Sequence, residues 1–252
     1  MMRVAPDLIL PSGVLLLDRV LNGGLQTGTV THVYGEAASG KTTMGLQFAG
    51  FVCRIGARVM YVNSESSSPI ERLEQVTGKK FREIEDMVRI LAPKGFIEQG
   101  ALVDDLELYA REGTKLIVID TLTRLYRTVL ENKDATYAAH RELNRQTGFL
   151  KGLARQRDMA VLILNQVRGV LDDRDAFEPV AKNILDYWAD CVLSMRVGRA
   201  KGERVIELLR PERVHRTAVL YVTHAGLGPV PDPEETVKWG SEPTTDRSTL
   251  DV

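Results

Sequence analysis

Sulfur and aromatic rings are scarce: 252 residues hold two cysteines, two tryptophans, six phenylalanines and four histidines. Cys53 and Cys191 sit alone in apolar surroundings, FVCRI and ADCVL, which argues against a disulfide framework or a thiolate metal cage and predicts buried thiols. The histidines do not fall at metal-ligand spacings, and His32 and His140 read as structural. Neither sign of charge dominates, with 33 Lys and Arg against 34 Asp and Glu, so global charge announces no polyanionic partner. No apolar run reaches bilayer length. The opening stretch, MMRVAPDLILPSG, is broken by Pro11 and lacks the longer apolar segment of a signal peptide. A soluble protein in the reducing cytoplasm, away from membranes, is expected.

What is present is alternation. β-Branched runs at Thr29–Tyr34, Arg58–Asn63, Val88–Leu91, Lys115–Asp120 and Met159–Asn165 predict strands, with helical patterns between them. Helices are expected over Lys41–Ile55, Pro69–Thr77, Phe96–Glu112 and within Ala135–Asp158, where Leu143, Leu150, Leu153 and Ala154 form one apolar stripe. KLIVID and AVLILN are continuous apolar runs, as central parallel strands covered on both faces require. Three further strands, Ala189–Val197, Val205–Leu209 and Ala218–Thr223, follow without helices between them and predict antiparallel hairpins closing the sheet. The fold class expected is α/β: a mostly parallel twisted sheet flanked by helices, with C-terminal antiparallel strands. Residues 1–230 read as a single domain, and the Pro-rich, acidic stretch 231–252 as a disordered tail.

Gly35-Glu36-Ala37-Ala38-Ser39-Gly40-Lys41-Thr42, followed by Thr43, fits G-x-x-x-x-G-K-[ST] between an expected strand and helix. The glycines let successive N–H groups converge on phosphates, and the helix adds its positive end. Lys41 reaches the terminal phosphates and Thr42 offers a hydroxyl to Mg2+. Asp120 ends an apolar strand where ligands of open α/β sheets bind, and would hold Mg2+ through water. Glu65, just past a strand tip in VMYVNSES, is positioned to orient an attacking water; Gln166 ends the AVLILN strand, where an amide could sense the γ-phosphate.

In this order and spacing the four motifs resemble the RecA/RadA recombinase ATPases, and the chain is most similar to their short archaeal RadB branch, over about 12–229. The likeness is carried by SGVLLLDRVLNGGLQTGTVTHVYGEAASGKTT, VMYVNSESSSPIERLEQ, KLIVIDTLTRLYR, VLILNQV and PVAKNILDYWADCVLSMRV. It implies a RecA-like P-loop NTPase core, ATP and Mg2+ as cofactors, Glu65 as the catalytic glutamate, and Gln166 as the link from ATP to a DNA-binding loop. It also implies single-stranded DNA and a RecA/RadA-type recombinase as partners, in repair and homologous recombination, with self-association possible. Where the family usually sets an arginine against adenine, this chain has Pro69, and no polymerisation motif with a phenylalanine anchor stands near its start.

Residues 167–182, VRGVLDDRDAFEPVAK, read as a long loop that the resemblance makes a DNA loop. There Arg168 and Arg174 could contact phosphates and Phe177 could stack on a base, with Arg127 contributing from the segment before the other loop. Asp172, Asp173, Asp175 and Glu178 weaken that attraction. Arg141, Arg145, Lys151 and Arg155 read as a solvated helix face. Arg199, Lys201 and Arg204 fall in a hairpin turn, as ordinary exposed residues, part of a DNA surface, or an arginine reaching a neighbouring subunit's phosphate. The expected activity is slow ATP hydrolysis by an accessory recombination protein. Alternatives are a non-hydrolysing, ATP-gated interaction module and a signalling ATPase like the circadian-clock KaiC group without DNA binding.

Overall fold

The computed structural model describes residues 8–130, 133–170, 173–211 and 214–230, without the side chains of 133, 168–170 and 173–177; the expected tail lies outside the described residues. In chain order the elements are β1 (Ile9–Leu10), α1 (Leu15–Val20), β2 (Leu25–Gln26), β3 (Val30–Gly35), α2 (Lys41–Arg54), β4 (Arg58–Asn63) and α3 (Ile70–Thr77). Then come β5 (Val88–Leu91), α4 (Phe96–Tyr109), β6 (Thr114–Asp120), α5 (Arg124–Arg127), α6 (Lys133–Arg157) and β7 (Ala160–Val170). The chain continues with β8 (Asp173–Pro179), α7 (Lys182–Trp188), β9 (Cys191–Val197), β10 (Glu203–Arg210), β11 (Arg216–Thr223) and β12 (Gly226–Gly228).

The main sheet runs β12-β11-β10-β9-β3-β7-β6-β4-β5, with β8 paired to β7 off this path. From β9 to β5 neighbours are parallel; β10, β11 and β12 are added antiparallel. Alternation along each central strand feeds two cores. Leu116 and Val118 of β6, with Leu162 and Leu164 of β7, pack with Met44, Leu46, Phe48 and Val52 of α2. Ile117, Ile119, Val161 and Ile163 point the other way, into a core with Val103 of α4 and Leu143, Leu150 and Leu153 of α6. Being apolar on both faces, these strands show no polar alternation in sequence, which is why they read as central.

The closing hairpins are as expected, although β9 itself joins β3 in parallel. The described residues of 167–182 do not form the expected long loop. β7 continues to Val170 and pairs antiparallel with β8, and α7 follows. Two smaller readings also change. Lys151 is buried in an ion pair with Asp190 rather than solvated. Cys53 and Cys191 are free and half-buried, with burial pushing their thiols up to about 12 and about 11. No helix among the described residues is long and apolar enough to cross a membrane.

Candidate functional site

Parallel pairing brings the C-terminal ends of β3, β7, β6 and β4 to one edge of the sheet, and each delivers a motif there. Gly35 lies beside Gln166 on β7 and Met195 on β9. A Cβ on Gly35 would stand 2.1 Å from the Met195 carbonyl oxygen, so only glycine passes. Gly40, the residue before α2, has φ +96° and turns the loop into the helix. Lys41 is 7% exposed, and its ammonium donates to the carbonyls of Gly35 (2.9 Å) and Glu36 (2.7 Å) and to Ser39 Oγ (3.1 Å). Burial lowers this ammonium to about 8, against the pull of Asp120, Glu65 and Glu36. The Glu36 carboxylate accepts the Val197 N–H at 2.9 Å, tying the loop to β9.

Asp120 ends β6 and is 1% exposed. Tyr61, wholly buried on β4, donates its hydroxyl to Asp120 Oδ2 at 2.7 Å. Oδ1 is buried without a hydrogen-bond partner. Burial pushes this carboxyl up, and the hydroxyls of Tyr61 and Thr42 pull it back. A buried carboxylate oxygen with no donor, next to a threonine hydroxyl, suits a hard cation that takes few protein ligands and completes its shell with phosphate and water. Among the described residues no group of three or more His, Cys, Asp or Glu could cage a metal by itself.

Glu65 stands between these buried groups and the surface. Its Oε1 accepts from Gln166 Nε2 at 3.2 Å and from the Thr121 hydroxyl at 3.3 Å, while Oε2 lies 3.5 Å from Arg124 Nε. Arg127, exposed, donates to Gln166 Oε1 at 3.4 Å. Gln166 thus connects Glu65 to Arg127. Next to it, Asn165 is fully buried: Nδ2 donates to the Val180 carbonyl at 2.8 Å, Oδ1 accepts from Thr123, and His32 links the amide to Asp186.

A cavity of about 420 Å3 opens over the loop, lined by Ala37, Ala38, Gly40, Lys41, Thr42, Thr43, Glu65, Asp120 and Gln166 among others. Of the residues expected at the phosphate and metal positions these line the cavity, while Gly35, Glu36 and Ser39 hold the loop and the Lys41 ammonium. Several other lining residues matter, among them one that carried no expectation and one expected in a hairpin turn. Pro69 does line the cavity, but so does Arg72, one helical turn on, held by the carbonyls of Thr223 and His224 at 2.7 and 2.8 Å. Its place three residues after Pro69, the residue that caps α3, was the available signal. Arg204 turns into the same cavity from β10. Arg168, Arg174 and Phe177 fall on the β7–β8 ribbon, and their side chains lie outside the described ones.

Comparison with known proteins agrees with this architecture. The Rad51 family model matches residues 7–229. The chain is 34% identical to the DNA repair and recombination protein RadB of Methanococcoides burtonii, over 71% of this chain and 79% of that one. It is 33% identical to the protein of the same name from Methanobrevibacter smithii, over 77% and 84%. For that of Archaeoglobus fulgidus the figures are 36%, over 64% and 71%. With the glycine-rich loop, Asp120 and Gln166 in one cavity, and a match running across nearly all described residues, the chain belongs to the Rad51 family.

Proposed function

We propose that the chain binds ATP, hydrolyses it slowly, and uses the bound nucleotide to control its grip on single-stranded DNA, as an accessory protein of recombination and repair. The observation that supports this most is the hydrogen-bonded line from Glu65 through Gln166 to Arg127. A change at Glu65, inside the cavity, reaches an exposed arginine through two contacts. The relatives named for DNA repair and recombination supply the context.

In this reading the loop N–H groups and Lys41 bind the phosphates. Thr42 and Asp120 would hold Mg2+, which would add further charge neutralisation when bound. Glu65 orients the water for in-line attack. That carboxylate is already occupied by Gln166, Thr121 and Arg124, and must be released before it can hold a water, so turnover is slow. Pro69 and Arg72 border the space for the base. Arg127 meets DNA phosphates, with Arg168, Arg174 and Phe177 of the ribbon contributing charge and stacking. The partner in the cytoplasm is a RecA/RadA-type recombinase, and residues 1–230 act as one ATPase domain.

The occupied state of Glu65 also favours a second reading, in which ATP binding alone switches the surface. A DNA titration tests what the two readings share, and a phosphate-release assay separates them. A labelled single strand is followed by fluorescence anisotropy in ATP–Mg2+, in ADP–Mg2+ and without nucleotide, at several salt concentrations. Affinity should depend on the nucleotide and fall linearly in log salt, and Gln166→Ala should erase the nucleotide dependence. Binding that ignores the nucleotide overturns the coupling; none at low salt removes DNA. Metal-dependent phosphate release by the wild type, absent in Glu65→Gln, decides for hydrolysis over the second reading.

A further inference from the structure

The β9–β10 hairpin brings a second cation to the cradle, and strand register sets where it stands. Met195 of β9 lies beside Gly35, and Val197, two residues on, pairs with Arg204 near the start of β10. Arg204 therefore rises at the same sheet edge as the phosphate loop and lines the cavity with Gly40, Lys41 and Thr42. The half-buried side chain borders the phosphate loop. One amino group donates to the Ala38 carbonyl at 3.0 Å, the other to the Glu203 carbonyl at 2.7 Å.

Two features set this arginine apart from one that merely fastens a loop. Its Nε is buried with no acceptor, close to where a Cβ on Gly40 would stand, so a charged group has a donor unsatisfied at the lip of the cavity. Glu36, the carboxylate whose field favours its charge, is itself hydrogen-bonded to the Val197 N–H. A guanidinium partly withdrawn from water and held by neutral carbonyls gains most from an anion that can accept several of its donors.

We propose that Arg204 is a phosphate contact that the chain supplies to its own cradle, adding a second positive charge beside Lys41 on the polyphosphate of a bound nucleoside triphosphate. This rests on the nucleotide reading of the cavity and adds to it a source of charge that needs no neighbouring subunit. It also makes the β9–β10 hairpin part of the nucleotide site.

The test compares wild type, Lys41→Ala, Arg204→Gln and Arg204→Lys. Each is titrated against fluorescent ATP and ADP analogues at low and high salt, and its thermal midpoint is recorded without nucleotide. Arg204→Gln should lose about tenfold in ATP affinity, with Arg204→Lys keeping most of it, midpoints unchanged, and the loss shrinking as salt rises. If Arg204→Gln binds like wild type while Lys41→Ala fails, the arginine only shapes the loop: this inference falls and the nucleotide reading stands. Equal losses in both Arg204 variants with lowered midpoints also overturn it. A loss seen only at protein concentrations where the chain self-associates assigns the contact to a neighbour. If wild type itself binds neither analogue, the nucleotide reading falls first.

Discussion

Along one flank of the cavity Lys41, Asp120 and Tyr61 are each less than a tenth exposed, and their contacts span 2.7–3.1 Å. Along the other, Glu65 and Arg124 keep 26% and 38% of their side chains in solvent, and the contacts among Glu65, Gln166, Arg124 and Arg127 span 3.2–3.5 Å. The sheet explains the contrast. Lys41 opens a helix packed on β6 and β7, while Asp120 and Tyr61 lie inside strands buried on both faces. There a polar group without water must find partners or be left costly. Glu65 lies beyond the end of β4, where water can replace any partner it gives up. The buried flank is fixed by its packing, and the open flank can exchange partners without disturbing the core.

If that division holds, changes on the open flank act on turnover and changes on the buried flank act on affinity. The largest effect is expected from Glu65→Gln: phosphate release should fall by about 100-fold or more, with ATP affinity kept within about threefold. A comparable loss of affinity would break the comparison. Lys41→Ala should weaken ATP by on the order of 100-fold, read by titration calorimetry, because it strips a buried charge from the anion site. Tyr61→Phe sharpens the point by removing only the donor to Asp120. About tenfold more Mg2+ should then be needed to support nucleotide binding, with metal-free binding unchanged.

The smallest effect is graded by pH. Lys41 is lowered by burial from 10.5 to about 8, so its charge costs the folded state stability, and that cost is relieved as pH rises from about 8 through 10.5. ATP affinity needs the charged form and should decline over the same window. Stability and affinity should therefore move in opposite directions there, and Lys41→Ala should remove Lys41's share of both slopes, as thermal melts and titrations across that range would report.

Legibility in the sequence followed the same line. Parallel strands that bury both faces announce themselves as unbroken apolar runs, and KLIVID and AVLILN fall within β6 and β7. The phosphate loop was readable because close approach to Met195 and a left-handed turn leave glycine as the residue for positions 35 and 40. What escaped depends on pairing and packing that no local pattern marks. Nothing local in VRGVLDDRDAFEP announces a ribbon, whose register is set across β7 and β8. α7 is one short helix whose Asp186 answers His32 on β3, a partner 154 residues away. Arg72 carries no signal of its own, and Arg204 only the open readings of a cation in a hairpin turn, until α3 and β10 are laid against the cavity. The expected long helix, by contrast, needed only its own stripe.

β7 has a mechanical consequence. Asp120, the end of β6, pairs with Leu164, yet β7 runs on past Gln166 for four residues to Val170, roughly 13 Å at strand rise. The returning chain is clamped at the root of this projection, Val180 N–H to the Gln166 carbonyl at 3.1 Å and Asn165 to the Val180 carbonyl at 2.8 Å. Floor of a cradle at one end and projecting ribbon at the other, the strand acts as a crank whose pivot is the glutamine. A tilt of about 5° at that pivot would carry Val170 by about 1 Å over this length, so a shift too small to disturb the core becomes a displacement on the scale of a hydrogen bond at the ribbon.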